Sequence, residues 1–341
     1  MKIYNDYLDT IKSAIDRDKS AQGLFSGISE SDSRLEKGVQ SLMLHREIPD
    51  NRLLPSLDEL AKELGAKPNF DQQLGMHPDF AHLKNTNKYE KHYIVSGFID
   101  IKGSTRLFAR YKPETVLVIT NTIQKAAIHT CLIFGGYVHR LHGDGLFVYF
   151  GGKNKCIKSS VYDILQCVSV FTYFVKNDLR NLFEAQGIEK IYTRIGIDLG
   201  YDKDLVWSMA GIGETSEVTT CSLHTNLASK MQASAESNGI VIGQNIKDNL
   251  TSEDRDLFQS VNIRTGNVND RYIYSDVDAK IFYTQYDFNW LIFLKRQSFI
   301  VSDPVGEIWI KQSNVRDRNI EQIAPIASLN KPYFDGKQTQ I

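Results

Sequence analysis

The chain has 341 residues, 42% of them hydrophobic and 24% charged, with 40 lysines and arginines against 41 acidic residues. That length suits one large or two modest domains with a buried core, and the balanced charge excludes a global field that would recruit nucleic acid or an anionic membrane. The longest apolar stretches, such as residues 167–175, fall short of the roughly 20 residues of a membrane-spanning helix, and the N-terminus places Asp6 where a secretory signal has its apolar run. The expectation is a cytoplasmic protein, and Cys131, Cys156, Cys167 and Cys221, which lack CxxC spacing, read as buried free thiols.

Tyr7, Ile11 and Ile15 recur at helical spacing before the sequence turns polar and irregular, and a second short helix fits residues 56–64. Residues 1–90 thus read as a helical and loop-rich flank. From Tyr93 the pattern becomes β, with a strand over residues 93–101 closed by Lys102-Gly103. Pro113 opens a helix over 114–134, striped by Val116, Ile119, Ile123, Ala127 and Cys131 and stopped by Gly135-Gly136. Two apolar runs, 137–141 and 146–150, are joined by His142-Gly143-Asp144-Gly145, a tight-hairpin signature with Asp144 at its tip.

A long amphipathic helix over 155–184 and a strand over 191–199 complete the order β-α-β-β-α-β. This order predicts an α+β, ferredoxin-like fold in which the first strand and the central hairpin share one antiparallel sheet, making Asp100 and Asp144 neighbours. Beyond it come a strand over 205–210, a turn at Gly211-Ile212-Gly213-Glu214, a helix over 222–235 and a strand over 239–242. Residues 91–275 form the central domain. Residues 276–341 read as a C-terminal extension whose aromatic run, 281–293, packs a core or a dimer face, followed by a polar tail from Arg316.

Asp100 and Asp144 each stand where an apolar strand meets a glycine turn. Two neighbouring carboxylates repel, divalent cations relieve the repulsion, and hard oxygen donors select magnesium or manganese over zinc. Gly103, Ser104 and Thr105 follow Asp100, where backbone N–H groups can receive phosphate oxygens. Asn226 and Lys230, at i and i+4, project from one helix face beside an anchoring stripe of Leu223, Leu227 and Met231. His139 and His142 suit no common zinc site and read as packing or surface residues.

The segments FIDIKGST (98–105), GGYVHRLHGDGLFVYF (135–150) and TNLASKM (225–231), in this order and spacing, resemble the class III nucleotide cyclase catalytic domain over about residues 91–275. The resemblance implies two Mn2+ or Mg2+ ions held by Asp100, Asp144 and the carbonyl of Ile101, with Phe98, Gly103, Ser104 and Thr105 at the substrate. It implies base contacts from Arg140, where the family has lysine, and from Thr219, a position often acidic in adenylate cyclases. Asn226 and Lys230 are implied to contact the ribose and the phosphates, Lys230 standing where the family has arginine.

Arg140 only donates hydrogen bonds and outreaches a lysine, and position 219 offers no carboxylate to an exocyclic amine, so these departures favour UTP, then CTP, then purines. Overall the chain most resembles the bacterial pyrimidine cyclases of the Pycsar anti-phage system. That implies a homodimer with active sites at its interface, a uridylate cyclase converting UTP to cyclic UMP and pyrophosphate, and a separate effector that reads the product. A cytidylate cyclase, a purine cyclase and a non-catalytic nucleotide-binding dimer are the alternatives, in that order.

Overall fold

β-Branched and aromatic side chains fill Ile94–Lys102 and Tyr192–Gly200, and the two segments pair antiparallel from Ile94 opposite Gly200 to Lys102 opposite Tyr192. The computed structural model describes residues 2–25, 51–188, 190–303 and 307–311; the tail from Arg316 lies outside them. In chain order come α1 (Asn5–Phe25), α2 (Pro55–Glu63), β1 (Tyr89–Glu90), β2 (Ile94–Lys102), α3 (Pro113–Ile133), β3 (Tyr137–His142) and β4 (Gly145–Phe150). Next are α4 (Ile157–Tyr173), α5 (Arg180–Ala185), β5 (Tyr192–Gly200), β6 (Leu205–Ile212), β7 (Thr215–Ser222) and α6 (Leu223–Ser234). Then follow β8 (Gly239–Gly243), α7 (Gln244–Asp248), β9 (Phe258–Ser260), α8 (Val261–Thr265), β10 (Tyr272–Asp276), β11 (Ile281–Phe288) and α9 (Trp290–Lys295).

The main sheet runs β10-β11-β8-β5-β2-β4-β3, with β9 also paired to β11. Its β5-β2-β4-β3 portion is the ferredoxin-like arrangement expected from the element order, and β8 joins it parallel to β5. The boundary read at residue 276 falls between β10 and β11, and β11 returns to pair with β8. A second, three-stranded sheet, β1-β6-β7, includes β7, which the sequence reading left unassigned, and its Gly211–Glu214 turn closes the β6–β7 hairpin as expected.

Side chains alternate across β2, so its two faces do different jobs. Val95, Ile99 and Ile101 are buried in the core that α3 and α4 cover, whereas Ser96, on the opposite face, bonds Thr225 of α6 at 2.9 Å. Both flanks join the same core. The Tyr7 hydroxyl meets His129 Nδ1 at 2.5 Å, Tyr4 meets Thr130 at 2.6 Å, and Trp290 and Phe293 of α9 lie in the same apolar cluster. α3 is long and apolar enough to span a bilayer by length and composition, but Val116, Ile119, Ile123, Ala126 and Ala127 are buried in this core.

The helix expected over 155–184 is interrupted by a π-helical turn, Phe174–Leu179. There the Asn177 amide donates to the Tyr173 carbonyl at 3.2 Å, so a side chain competes with the backbone for a helical acceptor. Only Cys131 and Cys167 are buried; Cys156 is exposed as the N-cap of α4, its sulfur accepting from the Ser159 N–H, and Cys221 lies exposed on β7.

A smaller aromatic cluster sits between the two sheets, with Phe80 stacked on Trp207 at 4.1 Å and Tyr137, Phe147 and Tyr149 around them. It encloses His77 and His139, whose burial lowers their pKa values to about 4 and about 3 from 6.5. Both imidazoles are therefore neutral in the fold. As pH falls below 6.5 the unfolded chain takes up protons that the folded chain refuses, so stability declines between that value and about pH 4. Each histidine contributes about 2 kcal/mol to that decline by about pH 5. H77Q should shrink the difference between denaturation free energies measured at about pH 7.5 and pH 5 by about that amount; an unchanged difference would reject the role of His77.

Candidate active site

Asp100 lies near the end of β2 on the face opposite Val95, Ile99 and Ile101, and Asp144 occupies the two-residue turn between β3 and β4. β4 pairs with β2, Ile99 opposite Leu146, which carries the turn to the end of β2. Gly145 makes the approach possible: a Cβ there would lie 2.5 Å from the Ile99 carbonyl oxygen and 3.4 Å from Asp100 Cα. Burial raises the Asp144 pKa, a hydrogen bond from the Ser104 hydroxyl partly offsets this, and the Asp100 charge raises it further. The two carboxylates therefore feel each other.

Arg194, directly opposite Asp100 on β5, donates to Asp100 Oδ2 through Nε at 3.1 Å and Nη2 at 2.5 Å. The sequence reading missed this residue; its signal was a lone arginine inside an otherwise apolar strand, invisible until the β2–β5 register is known. Among the described residues no group of three or more His, Cys, Asp or Glu forms a metal cage. Two partly exposed neighbouring carboxylates, one raised in pKa by the charge of the other, are hard oxygen donors of the kind that magnesium or manganese binds, one or two at a time, beside substrate phosphates. Ile101 has a buried side chain, so its carbonyl is what it can offer. Gly103 adopts a left-handed turn (φ 101°), with Ser104 and Thr105 starting the 3-10 helix after it.

A second cluster lies along β3 and β7. Arg140 Nε donates to Glu217 Oε2 at 2.5 Å, and Nη2 faces Oε1 of the same carboxylate. Thr219, two residues further along β7 on the same strand face, bonds His139 Nε2 at 3.1 Å and Tyr149 OH at 3.3 Å. Arg140 thus pairs with Glu217, a carboxylate the sequence reading did not foresee, and His139 Nε2 lies between Glu217 Oε2, at 3.7 Å, and the Thr219 hydroxyl. His139 Nδ1 is buried without a partner among the described residues. An imidazole nitrogen left unpaired costs least as a bare lone pair, which puts the proton on Nε2, donating to Thr219. Phe98, half-buried on the same face of β2 as Asp100, stacks on Phe147 with ring centroids 4.3 Å apart.

α6 carries Asn226 and Lys230 one turn apart, both exposed. Ser222 caps it by accepting from the His224 N–H at 3.2 Å. Leu227 and Met231 are buried as expected, but Leu223 is 40% exposed and His224 is buried in its place, because Leu223 occupies the first helical position and turns outward. The hydrogen bonds of Asp100 and Asp144 run to Arg194 and Ser104, not to Asn226 or Lys230.

The model of the adenylate and guanylate cyclase catalytic domain matches residues 86–273. A cytidylate cyclase from Staphylococcus aureus is 37% identical over 238 residues, covering 69% of this chain and 55% of the relative. A cytidylate cyclase from Escherichia coli is 32% identical over 285 residues, covering 80% and 59%. The chain thus spans little more than half the length of these relatives. The crystal structure of the adenylyl cyclase CyaB from P. aeruginosa aligns at 20% identity with a TM-score of 0.47, over 59% of this chain and 95% of that one. The family match takes in more than half of the chain, including β2, the β3–β4 hairpin and α6, and the chain belongs to the adenylate and guanylate cyclase catalytic domain family.

Proposed function

We propose that this protein is a pyrimidine nucleotide cyclase that converts CTP to 3′,5′-cyclic CMP and pyrophosphate. The observation that carries the cyclase reading is the pair of hard carboxylates, Asp100 and Asp144, brought together where β2, β4 and a glycine turn meet. In this reading Asp100, Asp144 and the Ile101 carbonyl hold two divalent cations, which when bound lower the pKa of the ribose 3′-hydroxyl and neutralise the leaving oxygens.

The rest of the work falls to the chain. Arg194 offers a guanidinium to triphosphate oxygens from beside Asp100, and Gly103, Ser104 and Thr105 line the turn that receives them. Asn226 orients the ribose for in-line attack of the 3′-oxygen on the α-phosphorus, with the bond to the β-phosphate breaking. Lys230 supplies a point charge to the developing phosphorane oxygens, without the bidentate fork of an arginine.

The base choice turns on Glu217. The preference for UTP read from the sequence rested on a donor-only Arg140 and a position 219 that offers a hydroxyl but no carboxylate, and Glu217 supplies a carboxylate beside Arg140. A carboxylate accepting from cytosine N4 is a recurrent pairing, and both curated relatives bear the name cytidylate cyclase. The exposed Asn226 and Lys230, absent from the hydrogen-bond network of the two aspartates, support a homodimer in which each site takes its carboxylates from one protomer and these residues from the other. The Pycsar resemblance supports reading the product as a second messenger in anti-phage defence, taken up by a separate effector.

Incubation with each of the four nucleoside triphosphates and manganese, followed by mass identification of products, should give cyclic CMP. Cyclic UMP alone would return the preference to UTP, a cyclic purine nucleotide alone would reject the pyrimidine reading, and no product would leave a nucleotide-binding module. E217Q should lower kcat/KM for CTP by about 10-fold or more while affecting UTP less; equal losses would remove Glu217 from base recognition. D144N should weaken Mn2+ binding, titrated by electron paramagnetic resonance, by more than about 10-fold, the size of effect that losing even an outer-shell partner produces. Mixing D144A with N226A protomers should restore one competent site per heterodimer, and heterodimers that form but stay inactive would reject the shared site.

A further inference from the structure

The helix that carries Asn226 and Lys230 is tied to the sheet through a carboxylate that the reaction does not use. Asp198, on β5, is fully buried. Its Oδ2 lies 2.8 Å from Nδ1 of His224 on α6, and its Oδ1 accepts from the Tyr283 hydroxyl of β11 at 2.7 Å. The same hydroxyl accepts from the Asn245 backbone N–H at 3.0 Å, and the Asn245 side chain donates to the Leu199 carbonyl at 2.8 Å. Gly243, at the end of β8, leaves the space, since a Cβ there would lie 2.1 Å from Asp198 Oδ1. β5, α6, the β8–α7 junction and β11 therefore meet at one carboxylate.

A buried carboxylate is costly unless paired and hydrogen-bonded, and apolar residues would hold a helix to a sheet more cheaply. What the carboxylate adds is direction. Leu227 and Met231 fix how closely α6 packs, but rounded apolar side chains tolerate rotation about the helix axis. The hydrogen bond from His224 to Asp198, itself held at its other oxygen by Tyr283, does not, and it adds to the Ser96–Thr225 bond one residue further along α6. His224 precedes Asn226 by two residues, so a roll at His224 swings Asn226 and Lys230 away from where a ribose and a triphosphate would lie. The edge-on contact of His224 with Tyr283, ring centroids 5.0 Å apart, makes the C-terminal strand part of the same clamp.

We propose that Asp198, held from the far side by Tyr283, is a positioning residue that sets the rotation of α6 and thereby aims Asn226 and Lys230, an inference that rests on the cyclase reading above. D198N keeps the size of the side chain and its acceptor for Tyr283 but turns a donor toward His224; Y283F removes one hydroxyl and leaves the Asp198–His224 pair in place. Each should lower kcat about 10- to 100-fold, with KM for the nucleotide changed by less than about 3-fold, as expected for a misaimed group.

Combining either with the N226A/K230A double variant should cost nothing beyond that double variant alone, because the clamp acts through those two residues. Losses that multiply, or full activity in both single variants, would overturn the proposal. Amide exchange, read on the same proteins without substrate, should rise across 223–230 in D198N and Y283F and stay unchanged across 157–173. If the wild-type protein forms no cyclic nucleotide from any triphosphate, the cyclase reading fails, and exchange that is equal across α6 in wild type and variants then rejects the clamp as well.

Discussion

Two like charges that backbone pairing will not let apart govern the architecture. The antiparallel pairing of β2 with β4 carries the β3–β4 turn to the end of β2, and Gly145 removes the one Cβ that would hold the strands off. Asp144 keeps a raised pKa despite the Ser104 hydroxyl, while Asp100 leans on Arg194. In the proposed reading an external cation or a phosphate completes this arrangement, with β5 bringing a guanidinium and the turn after β2 lying partly exposed.

Around this pair the protein uses buried polar groups as directional joints. His139 is kept neutral by burial and passes a hydrogen bond to Thr219, Asp198 is gripped from two sides, and Tyr4 and Tyr7 bond into α3 from the N-terminal flank. Each would be cheaper as an apolar residue, and each fixes an angle that apolar packing leaves free. The described parts of the N-terminal flank and of the C-terminal extension enter the same core as the central sheet.

Local signals in the sequence were enough for the frame. Alternation marks β2, a 3.6-residue stripe marks α3, and His142-Gly143-Asp144-Gly145 marks a hairpin tip, so the two aspartates could be placed together before any coordinates. Arg194, Glu217 and Asp198 stayed hidden for one shared reason. Each gains its meaning from a partner tens of residues away, 94 in the case of Arg194 and 77 in that of Glu217, across registers that no local pattern encodes. Leu223 misled because spacing alone cannot tell the first residue of a helix, which turns outward, from one inside it. The long helix over 155–184 is present as a continuous helical stretch over 157–185, and what its apolar stripe did not reveal is the π turn at Phe174–Leu179 within it.

The place of β11 in the sheet bears on how the molecule is made. β8 lies between β5 and β11, so the sheet edge beside β5 stays incompletely paired until residue 288 has emerged, and Asp198 lacks its Tyr283 hydroxyl until the same moment. A growing chain can assemble the four strands of the ferredoxin-like portion early, because all of them precede residue 201. It cannot make the contacts that tie α6 through Asp198 to Tyr283 until the last strand of the main sheet arrives. Synthesis order therefore separates the two aspartates, brought together by strands made early, from α6, whose tie to β11 comes late.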